Sequence, residues 1–154
     1  LATGHNMDDE AQSILMNQFR KNIRASAILG PVTGVTDDPK FVRRVKPFYF
    51  LTERETTTFA YVNSITDKYI ECPNAVRGYR RAVQEMLNEF ENKFPGTKHN
   101  IISSFLSILP SMKHGFESKE IKTCIKCGAP TSKEVCQACI LLEKIENLSA
   151  GNNR

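Results

Sequence analysis

Leu1-Ala2-Thr3-Gly4-His5-Asn6-Met7-Asp8-Asp9-Glu10-Ala11-Gln12 is the stretch from which the fold is read. Leu1 to Thr3 has the character of the end of a buried strand. Gly4 then permits a tight turn in which backbone can approach a ligand. Asp8 and Asp9 are expected as N-cap and first-turn residues of a helix with Ile14, Leu15, Gln18, Phe19 and Asn22 on one face. A strand, a glycine turn and a helix N-terminus together form an anion-binding geometry, because free amides and the helix dipole point at the ligand. Two carboxylates at that place repel a phosphate unless a metal ion or a proton-accepting role accounts for them. No methionine precedes the segment and no earlier strand-turn-helix unit completes a nucleotide site, so the sequence is expected to be a fragment.

Working outward, elements alternate. The first helix is expected from Asp8 to Ile23, before the Gly30-Pro31 turn. Phe41-Val42-Arg43-Arg44-Val45-Lys46 reads as a strand stopped by Pro47. Thr52-Glu53-Arg54-Glu55 has capping-box spacing and opens a helix to about Ser64 with Phe59, Ala60 and Val62 inward. Lys68 to Glu71 is a short strand candidate, and Cys72-Pro73 begins a turn. A helix follows to Lys93 with Val76, Tyr79, Val83, Met86, Leu87 and Phe90 on one stripe, broken by Pro95-Gly96. A last helix of this part, His99 to Leu109, is expected to end at Pro110. The alternation predicts an α/β domain over residues 1–115 whose earlier strands lie upstream. A separate module is expected over 116–148, and a disordered tail over 149–154.

Composition bounds the class. The 154 residues are 40% apolar, enough for one modest core, and no apolar run approaches the ~18 residues of a membrane span. No secretory leader is present, so a cytoplasmic protein is expected. A net charge of +4 permits a polyanionic partner. Three basic clusters suit one: Arg20-Lys21 with Arg24, Arg43-Arg44 with Lys46, and Arg77 with Arg80-Arg81. Solvated helix faces are the plainer account of each cluster.

The C-terminal part carries the second constellation. Cys124-Ile125-Lys126-Cys127-Gly128 and Cys136-Gln137-Ala138-Cys139 are two CxxC knuckles with eight residues between them. Four thiolates at this spacing close a tetrahedral zinc site, and a closed site folds a module without performing chemistry. Disulfides or a redox pair are the alternatives, disfavoured in a reducing compartment. Lys119, Lys122, Lys126 and Lys133 around it suit an RNA backbone or simply a solvated surface. Cys72, just before a helix N-terminus, could act as nucleophile, iron–sulfur ligand or small buried residue.

Taken together, these residues resemble a known family. Ala2-Thr3-Gly4-His5-Asn6-Met7-Asp8-Asp9-Glu10-Ala11 is similar to the second signature of the PP-loop ATP pyrophosphatases that modify tRNA. Arg44-Val45-Lys46-Pro47, Glu71-Cys72-Pro73, the helix with Arg77 and Arg81, Pro95-Gly96 and the terminal CxxCG and CxAC pairs narrow the resemblance to the tRNA 2-thiouridine synthetases. It covers nearly the whole sequence. Arg20-Lys21-Asn22 departs from the Arg-Gly-Asp often seen there. The family's N-terminal zinc finger, SGGxDS phosphate loop and own CxxC pair are not among these residues.

The resemblance implies the C-terminal part of a Rossmann-like PP-loop domain followed by a zinc module. It implies ATP-dependent adenylation of the uracil 2-oxygen of tRNA, with sulfur then displacing AMP, and the wobble uridine as the expected site. Gly4 and His5 would line the ATP pocket. Asp8 would be the catalytic carboxylate, aiding Mg2+ or taking the uridine proton, with Asp9 second; helix capping is the plain alternative for both. Cys72 would be one ligand of a 4Fe–4S cluster, leaving an iron open for sulfide. Arg44, Lys46, Arg77, Arg80 and Arg81 would face tRNA, the first two alternatively ATP. Cys124, Cys127, Cys136 and Cys139 would hold zinc. Partners implied are tRNA, a sulfur donor (sulfide or a thiocarboxylated ubiquitin-like protein), an N-terminal half of the same protein and a second copy. Alternatives are a T-loop uridine thiolase, a 2-thiocytidine or lysidine synthetase, and a non-catalytic zinc-bearing RNA-binding or assembly module.

Overall fold

A computed structural model describes residues 1–33, 42–65, 78–116 and 121–151. They form two compact units, the first made of residues up to Phe116 and the second of those from 121 onward. In the first unit the helices are α1 (Met7–Phe19), α2 (Ile23–Ala27), α3 (Glu53–Val62), α4 (Tyr79–Lys93) and α5 (Thr97–His114). Strands β1 (Val32–Thr33) and β2 (Arg44–Val45) pair antiparallel, Val32 opposite Val45. Ala2 bridges Val45 in parallel on the other edge of β2, where the Thr3 amide donates to the Val45 carbonyl at 3.0 Å and the Val45 amide to Leu1 at 2.9 Å. The extended character of Leu1 to Thr3 is realised as a parallel bridge, but Leu1 (70% exposed) and Ala2 are exposed, so the segment is not a buried strand end. In the first unit the described residues hold this one small sheet; Lys68 to Glu71 lies outside them.

The core forms where α1, α4 and α5 meet, with Met7, Ala11, Ile14, Tyr49, Val83, Leu87, Ile102, Phe105 and Leu109 buried together. Met7, Ala11 and Ile14 recur at helical spacing and define the inner stripe of α1, so Phe19 is left exposed. Asn6, not Asp8, is the N-cap of α1: its extended backbone lets the side chain accept the Asp9 amide, while Asp9 reaches back to the Asn6 amide. The Thr52–Glu55 capping box opens α3 as its spacing indicates.

Two helix expectations are corrected. Helix α3 buries none of its residues, and Phe59 (64% exposed) and Val62 point away from the core. The N-terminal end of α3 is held to the core through the Asp8 bond described below. Pro110 lies inside α5 instead of ending it. Its missing N–H costs the helix one bond to Leu106, but Leu109 and Met112 on either side pack against the core and carry the helix to the Gly115 cap. The α5 N-terminus is capped from α4, since Glu91 accepts the Gly96 amide at 2.7 Å and the Lys98 amide at 2.8 Å.

The second unit has β3 (Lys122–Thr123) and β4 (Pro130–Thr131) antiparallel, followed by α6 (Gln137–Gly151). Helix α6 runs through Ser149 and Ala150, where a disordered tail was expected. Among the described residues, no helix is long and apolar enough to cross a membrane. Ile102→Ala, at a fully buried site, is expected to lower unfolding free energy by about 2–5 kcal/mol. Phe59→Ala should change it by no more than about 0.5 kcal/mol in urea titrations of the 154-residue chain.

Candidate functional site

The first turns of α1 carry three consecutive acids, and each is met by a cation from another element. Asp8 is buried; one oxygen takes the Lys98 ammonium and Oδ2 accepts the Glu53 amide, the first of α3, at 2.7 Å. Lys98 Nζ also donates to Asn88 Oδ1 on α4 at 2.6 Å, so one buried ammonium joins α1, α4 and α5. Glu10, 2% exposed, pairs with Lys46 at 2.5 Å. Asp9 is partly exposed and meets Arg80 Nη2 at 2.7 Å, while Arg80 Nε donates to Gln12 at 2.9 Å. Burial and the Glu10 charge push proton loss from Tyr49 well above the ordinary phenol range, so it stays a neutral hydroxyl.

These contacts reassign several residues. Asp9 performs the capping that was its plain reading. Lys46 is a buried ion-pair member with 3% of its side chain exposed, which corrects its place among residues facing tRNA or ATP. An ammonium against Asp8 opposes a second cation there, so Mg2+ is not assigned to Asp8. Gly4 and His5 are exposed on the turn between the parallel bridge and α1. Gly4 avoids the left-handed region and a side chain there would meet nothing within 4 Å, so the turn does not demand glycine sterically. The space beside it is open. Arg44 is exposed and donates from Nε to Thr33 at 3.1 Å; Arg81 is partly exposed and pairs with Glu85 one helical turn on. Arg77 and Cys72 lie outside the described residues. Sequence reasoning missed Glu10, Lys98 and Tyr49. Glu10 carried a signal, a charge on the Met7–Ala11–Ile14 stripe; Lys98 had none, because its partner is 90 positions away.

In the second unit, the four sulfurs of Cys124, Cys127, Cys136 and Cys139 lie within 4.8 Å of one another. A tetrahedral ion with bonds of ~2.3 Å sets sulfurs about 3.8 Å apart, and Cys127 and Cys136 stand at 3.6 Å. Gly128, at φ +75°, closes the first knuckle, its amide donating to Cys124 at 2.9 Å. The Cys136 amide points at Cys124 Sγ (3.3 Å) and, with the Cys127 amide, holds that thiol down at about 6. The Cys139 amide lowers Cys136 in the same way. Hydrogen bonding to Cys127 and Cys136, with burial, pushes Cys139 up to about 12. Four thiols with backbone donors aimed at two of them fit one metal ion. Glu143 on α6 pairs with Lys126 of the first knuckle.

No family model matches the chain. The tRNA 2-thiolation protein NcsA of Haloferax volcanii is 33% identical over 154 residues, 95% of this chain and 48% of that protein. The tRNA-5-methyluridine(54) 2-sulfurtransferase of Pyrococcus horikoshii is 37% identical over 139 residues, 90% of this chain and 44% of that protein. The solved U34-tRNA thiolase NcsA from Methanococcus maripaludis, with its 4Fe–4S cluster, superposes with a TM-score of 0.70 at 29% identity, over 94% of this chain and 45% of that one. Over nearly its whole length the chain is thus similar to tRNA 2-thiolation proteins and tRNA sulfurtransferases. It spans about half the length of the curated relatives it matches.

Lys98→Met should destabilise the chain by about 3–5 kcal/mol, because Asp8 is left as a buried, uncompensated charge. Arg80→Ala, at a half-exposed pair, should cost less than about 1 kcal/mol in the same urea titration. At pH 7.5 the Cys139 thiol is protonated, so Zn2+ uptake by metal-free protein should release protons. Below about pH 6 Cys124 is protonated too, and affinity should fall further. Calorimetry in two buffers of different ionisation enthalpy measures the release.

Proposed function

We propose that the protein takes part in ATP-dependent 2-thiolation of tRNA uridine, with the wobble uridine as its site. The observation that carries the reading is the relationship to tRNA 2-thiolation proteins along 95% of the chain. The likeness to a solved U34-tRNA thiolase favours the wobble position over the T-loop position named for the Pyrococcus relative. In this reading the first unit is part of a PP-loop domain that uses ATP and Mg2+ in the cytoplasm, and the whole activity belongs to a longer protein or assembly. Its partners are tRNA, a sulfur donor (sulfide or a thiocarboxylated ubiquitin-like protein), an N-terminal half and a second copy.

Adenylation of a uracil oxygen requires a nucleotide cradle and a group that manages the uridine proton. Gly4 and His5 supply the cradle: they are exposed, and the space beside Gly4 is open. Asp8 is the catalytic carboxylate of this reading, held in one orientation by Lys98 and the Glu53 amide. Arg44, Arg80 and Arg81 keep exposed guanidinium surface for the tRNA backbone; Arg77, outside the described residues, is assigned to the same role from the sequence alone. Cys72 is one ligand of a 4Fe–4S cluster, which when bound supplies the sulfur chemistry. The second unit is a zinc module, because four sulfurs this close suit a single ion, whereas a cluster sets each thiolate on a different iron.

The test is mass spectrometry of tRNA from cells in which the gene carries Cys72→Ala or Asp8→Asn. Loss of 2-thiouridine at position 34 is expected in both. Undiminished 2-thiouridine in both variants sinks the assignment, and loss confined to position 54 moves it to the T-loop.

A further inference from the structure

We infer that Lys46, paired with Glu10, is a positioning residue that holds the Gly4–His5 turn in its nucleotide-facing form and contacts neither tRNA nor ATP. The inference rests on the nucleotide-site reading above. The turn is anchored at both ends to one segment of the chain. Upstream, Thr3 and Leu1 bond both backbone groups of Val45; downstream, the Met7 amide donates to the Leu51 carbonyl at 2.8 Å. Lys46 follows Val45 directly. Its own amide donates to Pro31 at 2.9 Å and its carbonyl accepts the Tyr49 amide at 3.2 Å, so its backbone is fixed on both sides. Its ammonium then crosses to Glu10 in the first turns of α1. Thr3, the turn, α1, Glu10, Lys46 and Val45 thereby form a closed ring.

Two features say that the ring serves position more than stability. Gly4 has neither a steric neighbour nor a left-handed backbone, so nothing in the turn itself restricts it. Its shape has to be imposed from the anchors. The pair is also imperfectly satisfied: Glu10 Oε2 is buried and finds no hydrogen-bond partner among the described residues, and neither does the buried Tyr49 hydroxyl that feels its charge. A buried ion pair stabilises little over apolar residues of the same volume, and unsatisfied neighbours reduce that further. What an apolar replacement cannot reproduce is the fixed distance between β2 and α1.

Because Lys46→Met alone strands a buried carboxylate, the decisive variant is the Glu10→Leu/Lys46→Met double, made in the protein as its gene encodes it. Its thermal stability is expected to equal or exceed that of the wild type. We expect kcat/KM for ATP in tRNA thiolation to fall about ten- to hundred-fold, as for a displaced reacting group. The Kd for tRNA should stay within about two-fold, since no phosphate contact is removed. Wild-type ATP kinetics in a stable double variant overturn the inference, leaving the pair a fold element only. A loss of tRNA affinity of about ten-fold with ATP kinetics intact overturns it as well, because Lys46 is then an RNA contact. Should the wild type show no ATP-dependent thiolation, the proposed function falls, and amide exchange decides the positioning alone. Faster exchange at Thr3 and Met7 in the double variant, at matched global stability, upholds it; unchanged exchange overturns it.

Discussion

A buried carboxylate is tolerated only where a cation or a set of donors meets it, and the first unit is organised around two such groups within one turn of one helix. Asp8 and Glu10 are both nearly inaccessible, and both are answered by lysines from elsewhere, Lys98 on α5 and Lys46 beside β2. These pairs make demands that apolar packing does not. Leu87 or Ile102 can shift by a fraction of an ångström and lose little; an unpaired carboxylate in the same place cannot be accommodated. The helices and the small sheet are therefore assembled in one register, with the exposed Gly4–His5 turn leading into the helix that carries both carboxylates.

The second unit solves the opposite problem. Its two short strands and one helix bury little apolar surface, and Leu141, Leu142, Ile145 and Leu148 of α6 are exposed. In the zinc-module reading a unit this small would gain its stability from the metal, with four thiols and the amides that face them doing the work of a core. The inequality among the thiols is a product of the knuckle geometry. Amide donors favour the thiolate at Cys124 and Cys136, while hydrogen bonding to its neighbours keeps Cys139 protonated. A metal ion removes that inequality by taking all four as thiolates.

The chemistry proposed for the whole protein fits this division. A nucleotide-facing turn has to be placed accurately but left open, and it is: its own residues are unconstrained while both flanks are tied down. The basic residues near it are not equivalent. Lys46 is consumed internally, Arg80 is shared between Asp9 and solvent, and Arg44 remains on the surface. Sequence proximity grouped them by charge, whereas the fold sorts them by burial.

Features set by short-range geometry were legible in the sequence. The Thr52–Glu55 box, the extended character of Leu1 to Thr3, the middle of the α4 stripe at Val83 and Leu87 (its ends, Tyr79 and Phe90, are exposed), and the two cysteine knuckles all depend on residues a few positions apart. The misreadings share one cause. Phe59 and Val62 have helical spacing but no surface to pack against, Pro110 is carried through a helix by packing on either side, and Lys46 looked like a surface cation. By itself the sequence determined which local elements form and that four thiols converge. Only the tertiary structure decided which charges are buried, because Lys46 and Glu10 are 36 positions apart and Lys98 and Asp8 are 90. A pairing at that range is selected by the whole packed core, and no local propensity encodes it.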